Sequence, residues 1–312
     1  MSSTSPNVVR LTAEQGGVRL DKFVASARAD LSRMEVQRLI KAGEVRVNGR
    51  TEKASYRLEA GDEVELVLPE PETPTIQPEA VELDVLYEDD DLVAVNKPAG
   101  MVTHPAYGNW SGTLVNAALY HWPQMRDAGP DLERSGVVHR LDKDTSGVIV
   151  LAKTPQALRH LQRQFKRRTV YKLYTALVEG VPASNAGIIE APIGRDPSRR
   201  KRMAVVKGGR PAITRYDLIE DLETNALLAV EPRTGRTHQI RVHLAWLGHP
   251  IVGDRLYGYR KQRIGLKRLF LHASELHVDS PSTGERLEFR APLPAGLEDI
   301  LAKLRRNLPS AW

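Results

Sequence analysis

Apolar residues recur along this chain with two periods. Val36, Leu39 and Ile40 fall at helical spacing behind Ser32-Arg33-Met34-Glu35, whose serine and glutamate are placed as in a capping box. Gly43 supplies the left-handed residue on which such a helix closes. Val45 and Val47 then alternate as a strand, Asn48-Gly49 signals a hairpin, and Gly61-Asp62 turns the chain before Val64, Leu66 and Leu68. Further on, Leu92-Val93-Ala94-Val95 reads as a buried strand. Thr154-Pro155 caps and starts a basic amphipathic helix that runs from Ala157 to Arg168, and Val170 to Val178 reads as a strand with apolar residues on both faces. A last helix can start at Thr237 and stop at Gly248 and Pro250, with Ile240, Leu244 and Leu247 on one face. Helical stretches are few among the later strands and turns. The pattern predicts an α+β fold on a mostly antiparallel sheet.

The length of 312 residues accommodates two domains. Residues 69–80, Pro-Glu-Pro-Glu-Thr-Pro-Thr-Ile-Gln-Pro-Glu-Ala, are too rich in proline for a helix or a central strand and read as an extended linker. A small unit over residues 18–68 is therefore expected before a large one over 81–308.

Composition narrows the chemistry. The chain has no cysteine, which excludes disulfides, zinc–thiolate sites, iron–sulfur clusters and thiol catalysis, and fits a reducing cytoplasm. No segment approaches the apolar length of a membrane span, so a soluble, cytoplasmic protein is expected, with a monomer as the default. The net charge is +6, and the basic residues cluster at Arg199-Arg200-Lys201-Arg202, Lys166-Arg167-Arg168 and from Arg260 to Arg268. Between Arg33 and Arg57 seven basic residues stand against three acidic ones. Any one cluster alone is an ordinary solvated face; together they favour a polyanionic partner, a nucleic acid. His238 and His243 are five residues apart and lack the i, i+4 spacing of a helical zinc site, so no metal is expected, and the sequence offers no sign of another cofactor.

Two polar strings carry candidate chemistry. In His139-Arg140-Leu141-Asp142-Lys143-Asp144-Thr145-Ser146-Gly147 a short apolar run, Val137 and Val138, is expected to deliver Asp142 to a strand end. A glycine turn and a second strand, Val148 to Leu151, would follow. Between Arg140 and Lys143 the carboxylate should stay ionised and act as nucleophile or base. The other string is Thr234-Gly235-Arg236-Thr237-His238-Gln239-Ile240-Arg241-Val242-His243-Leu244. Its Arg241 is either a surface arginine lying over the core or the partner that orients Asp142. Asn96 and Lys97 end a strand just before the Pro98-Ala99-Gly100 turn, a common place for a site.

The first string resembles the signature of the RluA-type RNA pseudouridine synthases, and the resemblance extends from about Arg19 to Pro294. Asn96-Lys97-Pro98-Ala99-Gly100, His104-Pro105-Ala106 and Gly112-Thr113-Leu114-Val115-Asn116-Ala117 match the first motif of that family. The string around Arg241 matches the third, and Gly253-Asp254-Arg255-Leu256-Tyr257-Gly258 continues it. The details look most like the RluD-like branch, which modifies large-subunit ribosomal RNA. The resemblance implies that Asp142 is the catalytic aspartate, that Arg241 meets it, and that Tyr174 rather than Tyr171 is the active-site tyrosine. It also likens residues 19–68 to the alpha-L RNA-binding module, in which Arg33, Arg38 and Lys41 would grip folded RNA through phosphates.

On that reading uridine is flipped out of its stack, its bond from nitrogen 1 to ribose breaks, and the base rejoins through carbon 5. Arg140 would hold the flipped state, with His139, Asn96 and Lys97 as further substrate-binding residues. The partner would be ribosomal RNA or a precursor of the large subunit. Two rivals predict different behaviour: a non-catalytic RNA-binding or ribosome-assembly factor, indifferent to Asp142, and a glycosidase pairing Asp142 with Asp144.

Overall fold

The computed structural model describes residues 7–28, 30–68, 76–106, 108–199, 202–259, 261 and 264–306, and its contacts divide the chain after Thr75. Residues 69–75 of the expected linker, and parts of two basic clusters (Arg200, Lys201, Arg260 and Arg263), lie outside the described residues. The rest of the expected linker is not a spacer. Ile76 is buried with Val93 and Val115, Asn116 Nδ2 donates to the Gln77 carbonyl at 2.8 Å, and the Gly112 N–H donates to the Glu79 carboxylate. Proline content suggested a free segment, yet one apolar side chain and three hydrogen bonds are enough to hold residues 76–79 on the second unit.

The first unit comprises β1 (Asn7–Thr12), α1 (Leu20–Ala27), α2 (Arg33–Lys41), β2 (Val45–Val47), β3 (Arg50–Thr51) and β4 (Glu63–Leu68). Its sheet has the order β1-β4-β2-β3, so the unit begins a strand earlier than position 18. The Ser32/Glu35 capping box forms with both of its hydrogen bonds. The hairpin turn takes Asn48 and Gly49 to φ 49° and 80°, the left-handed pair that a type I′ turn needs. Leu20, Val24, Val36, Ile40, Val45, Val64 and Leu66 close the core. Asp21 is buried among them and accepts from Arg19, Arg33 (Nη2, 2.8 Å) and Gln37 (2.8 Å). A buried carboxylate is tolerated only when so paired, and this one ties α1 to α2.

The second unit opens with β5 (Asp84–Glu88), β6 (Leu92–Lys97), α3 (Leu114–His121), β7 (Ser146–Ala152), α4 (Pro155–Arg167) and β8 (Tyr171–Glu179). It continues with β9 (Ala186–Glu190), β10 (Ile193–Arg195), β11 (Met203–Val205), β12 (Ile213–Asp221) and β13 (Asn225–Pro232). The chain then forms α5 (Gln239–Trp246), β14 (Leu271–Asp279), β15 (Arg286–Arg290) and α6 (Ala295–Arg306). The large sheet runs β5-β6-β7-β14-β8-β13-β12-β9, with β15 on β14 and β10 and β11 as a separate hairpin. Alternate residues of β6 and β7 pack on opposite layers. Val93, Val95, Ile149 and Leu151 meet Leu114 and Val115 of α3, whereas Leu92, Ala94, Val148 and Val150 meet Leu158 and Leu161 of α4. Covering both faces is why these strands are unbroken apolar runs. On β8 and β13, Leu177, Leu228 and Val230 pack with Ile240 and Leu244 of α5 and Leu297 and Leu301 of α6.

The sheet is antiparallel among the described strands except where β14 meets β7, at His272↔Ser146 and Ala273↔Gly147. Gly147 sits there with φ 115°, and a Cβ on it would overlap the Ala273 carbonyl oxygen. Only glycine lets the two strands meet at that point.

Candidate active site

Asp142 does not end a strand, as expected from Val137 and Val138. Val137 makes one isolated bridge to Leu151, and at the next position along β7 the Val150 N–H donates to Nε2 of His139 at 3.0 Å. An imidazole thus replaces the backbone partner a strand would have given, and the chain is released into a loop. The turn at its end is closed by the Thr145 N–H on the Asp142 carbonyl, without glycine; Gly147 lies inside β7.

That loop is anchored on both sides of Asp142. Leu141 is buried in the α3 core, and its backbone N–H and carbonyl both bond the Thr103 hydroxyl. The Lys143 carbonyl accepts from the Gly100 N–H at 2.8 Å and from Lys97 Nζ at 3.3 Å. Lys97 also donates to the carbonyls of Pro98 and Met101. It is 0% exposed, and burial, with Arg268 nearby, pushes its ammonium down to about 7 against the charges of Asp144 and Asp142.

Arg241 projects from the first turn of α5, whose start is fixed by the buried Gln239. Its amide accepts from the Thr234 hydroxyl and the Arg236 N–H and donates to the Ile213 carbonyl and the Thr214 hydroxyl. His238, not Thr237, is the N-cap residue, in the left-handed region at φ 56°. Arg241 Nη1 donates to Asp142 Oδ2 at 3.1 Å, while Nε and Nη2 donate to the two oxygens of Asp254 at 2.7 and 3.0 Å. The Asp254 side chain is fully buried and also accepts from the Leu256 and Tyr257 N–H groups. Burial alone would raise the Asp254 carboxyl; the Arg241 fork and those N–H groups hold it below the ordinary aspartate value. Burial likewise disfavours charge on Arg241, and Asp254 and Asp142 more than offset it.

Tyr174 and Tyr171 face opposite sides of β8. Tyr171 packs on His277, whereas Tyr174 lines the cavity with Asp142. Burial first, then the Asp142 charge, raises the Tyr174 phenol, so it stays protonated. His238 Nε2 lies 3.9 Å from Asp142 Oδ2, and its Nδ1 is 2.9 Å from the Tyr257 hydroxyl, which accepts from the Met203 N–H. Burial keeps the His238 imidazole below the usual histidine range despite Asp142.

Asp142, Tyr174, His238 and Arg241 converge on a cavity of about 500 Å³ in which seven arginines and lysines line the wall and Asp142 is the one carboxylate among the described residues. Such a cavity suits a neutral base carried on an anionic chain. Exposed Arg140 stands in its wall, as does His139, whose ring stacks on Phe165 at 4.7 Å. Two expected substrate contacts are corrected. Lys97 is sealed from solvent, a strut of the loop, and Asn96 bonds Asp84 from the outer strand β5 and does not line the cavity. Asp144 is exposed and also outside the lining, so the alternative carboxylate pair is not assembled. His243 bonds Thr214 and the Ala191 carbonyl as a core group. No cluster of three potential metal ligands occurs among the described residues. In the first unit Arg38 and Lys41 are exposed, while Arg33 is engaged with Asp21. Sequence reasoning missed Asp254, Tyr257 and His238 as parts of the site; the string 253–258 contained the first two without any sign of where their side chains go.

The sequence profile of RNA pseudouridylate synthases matches residues 91–246, and that of the S4 domain matches residues 18–64. The uncharacterized RNA pseudouridine synthase YlyB of Bacillus subtilis is 44% identical over 303 residues, covering 96% of this chain and 99% of its own. The ribosomal large subunit pseudouridine synthase D of Nitrosomonas europaea is 40% identical over 318 residues, covering 99% of this chain and 91% of its own. Among solved structures, human RNA pseudouridylate synthase domain containing 1 aligns with a TM-score of 0.56 at 28% identity, over 75% of this chain and 98% of that one.

Proposed function

The chain belongs to the RNA pseudouridine synthase family, and from that premise we propose that Asp142, Arg241 and Tyr174 form its active site and that large-subunit ribosomal RNA is its substrate. The enzyme isomerises uridine in RNA. The observation that carries the assignment of the site is the 3.1 Å contact between Asp142 and Arg241, 99 residues apart in sequence, at the wall of a basic cavity. The substrate assignment is supported by the 40% identity to a large-subunit synthase. The proposal takes the enzyme to act as a monomer in the cytoplasm, where large-subunit RNA is available to it. No helix among the described residues is long and apolar enough to cross a membrane.

The isomerisation breaks the bond from nitrogen 1 to the ribose anomeric carbon, turns the uracil, and joins carbon 5 to the same carbon. The carbon 5 proton leaves and nitrogen 1 gains one, so no redox partner is needed. Flipping the uridine costs a few kcal/mol, offset by the cavity and by Arg140 at its edge. Oδ2 of Asp142 is occupied by Arg241, and Oδ1 is the oxygen presented to the reacting atoms. The same placement serves direct attack or assisted loss and recapture of uracil. Tyr174 lies against the base with its proton retained. The test is tritium release from RNA labelled at carbon 5 of uridine. Wild type should release tritium chiefly from large-subunit RNA and Asp142→Asn should release none. Equal release by Asp142→Asn would sink the site, and preferential release from transfer RNA would sink the substrate assignment.

A further inference from the structure

Lys172 is a largely buried cation that the reaction as drawn does not use. It lies two residues before Tyr174 on β8 and, like it, on the cavity side. Among the described residues its ammonium has one hydrogen-bond partner, the Thr234 carbonyl at 3.3 Å, and no carboxylate within ion-pair distance. Glu231, the acid whose charge favours it, is paired with Arg233. Burial, helped by Arg168, pushes the ammonium down to about 8. An ammonium kept in that position without a counter-ion is costly to the fold, and an anion arriving with the substrate would remove the cost.

The neighbours say what the anion is. Lys166 and Arg168, at the end of α4, line the same cavity, and the Arg168 charge acts on Lys172. Lys172 is displaced from Tyr174 by two strand residues, about 7 Å along the sheet. Asp142 and Tyr174 mark where the base and its anomeric carbon sit. A step of that size is comparable to the span from the reacting ribose carbon to the phosphorus flanking it. The hydrogen-bond acceptors of uracil are neutral carbonyls, which would not call for three cations lining one cavity. Resting on the pseudouridine synthase reading, we infer that Lys172 is a substrate-binding residue that pairs with a phosphodiester directly flanking the flipped uridine. Lys166 and Arg168 continue the same backbone track toward solvent. The contact holds the nucleotide by its charge, so it positions the ribose over Asp142 without reading sequence.

The test uses the full chain and a short RNA containing one uridine that wild type converts in the tritium assay. A second and a third copy carry an uncharged methylphosphonate on the 5′ or the 3′ side of that uridine. If wild type converts no RNA, the enzyme reading itself fails and this question does not arise. Given conversion, one of the two neutral linkages should lower wild-type kcat/KM about tenfold, mostly through KM, and Lys172→Met should do the same on the natural RNA. Combining the variant with that linkage should give no further loss, because both remove one interaction. Lys172→Arg, which keeps the charge, should keep most of the sensitivity to the linkage. Multiplying losses, or a Lys172→Met protein as sensitive to the neutral linkage as wild type, would overturn the inference; a lysine that merely supports the fold would give that pattern.

Discussion

Arg241 reaches Asp142 with one nitrogen only, Nη1, which stands 3.1 Å from Oδ2. The remaining two nitrogens of the guanidinium are taken by Asp254. A bidentate fork onto Asp142 would occupy both oxygens of its carboxylate. Because Asp254 takes the fork, Arg241 orients Asp142 through one oxygen, and the proposed active site has the other for chemistry.

With the proposed active site, Asp254 acts through Arg241, and its removal should show in kcat. Asp254→Asn retains the shape but loses the charge and one acceptor that aim the guanidinium. A misplacement of about 1 Å at a reacting group costs on the order of 10²-fold, and a fall in kcat of that size with KM little changed is expected. Arg241→Lys should behave alike, because an ammonium cannot serve two carboxylates in fixed directions. Single-turnover rates on a saturating RNA substrate check both; a loss confined to KM would refute the positioning role.

Gly147 tests the scaffold beneath the site. Its φ of 115° and the Ala273 carbonyl in its Cβ position leave no room for alanine. Gly147→Ala should destabilise the second unit by on the order of 3 kcal/mol or more, through separation of β7 from β14 and displacement of the loop that carries Asp142. Thermal unfolding measures this. Gly235→Ala, at a glycine with open space around it and no positive φ, should melt close to wild type.

The α+β class, the capping box of α2, the Asn48-Gly49 hairpin and the extent of α4 were legible because each depends on residues within a few positions of one another. The residues singled out Asp142 and left Arg241 with two readings, whereas the choice of Tyr174 over Tyr171 came from resemblance alone. The contact between the first two joins a loop to a helix 99 residues later, and no periodicity encodes that. Lys97 and Asn96 were misjudged for the same reason: a strand end beside a turn gives no sign whether its side chain faces a cavity or a row of buried carbonyls. The missing strand before Asp142 turns on His139 capping Val150, a side chain substituting for backbone, to which alternation is blind.

Acid should loosen the first unit through Asp21. Hydrogen bonds from Arg19, then from Arg33 and Gln37, outweigh burial and hold its carboxyl far below the ordinary range. A carboxyl depressed in the folded state contributes stability that is complete above its unfolded value, near 3.9, and is lost as pH falls below that value toward the folded one. Hydrogen exchange over residues 20–41 should accelerate in wild type relative to Asp21→Asn as pH drops from 5 to 3. The protection that wild type holds over the variant at pH 6 should shrink. A constant difference across that range would exclude Asp21 as the titrating group.

The basic face of α2 separates into two roles that mutation can tell apart. Arg33 shares the buried Asp21 with Arg19 and Gln37, so Arg33→Ala strips a charged hydrogen bond from a carboxylate that water cannot reach. Because Arg33 is half exposed and Arg19 and Gln37 remain on Asp21, a loss of about 1 kcal/mol is expected, read as faster hydrogen exchange over residues 20–41. Arg38 and Lys41 are exposed in the last turn of the same helix, where neither side chain makes a hydrogen bond or ion pair among the described residues. Their joint replacement by alanine should leave exchange unchanged and weaken RNA binding, measured in an Asp142→Asn background to avoid turnover. Each phosphate contact removed lowers the slope of log K against log salt by about 0.7–0.9, so the double variant should lose roughly 1.5 from that slope. If Arg33→Ala alone lowered the slope as much while exchange stayed at wild-type rates, the division of roles would be reversed. Arg33 would then be the residue facing RNA, with Asp21 held by Arg19 and Gln37.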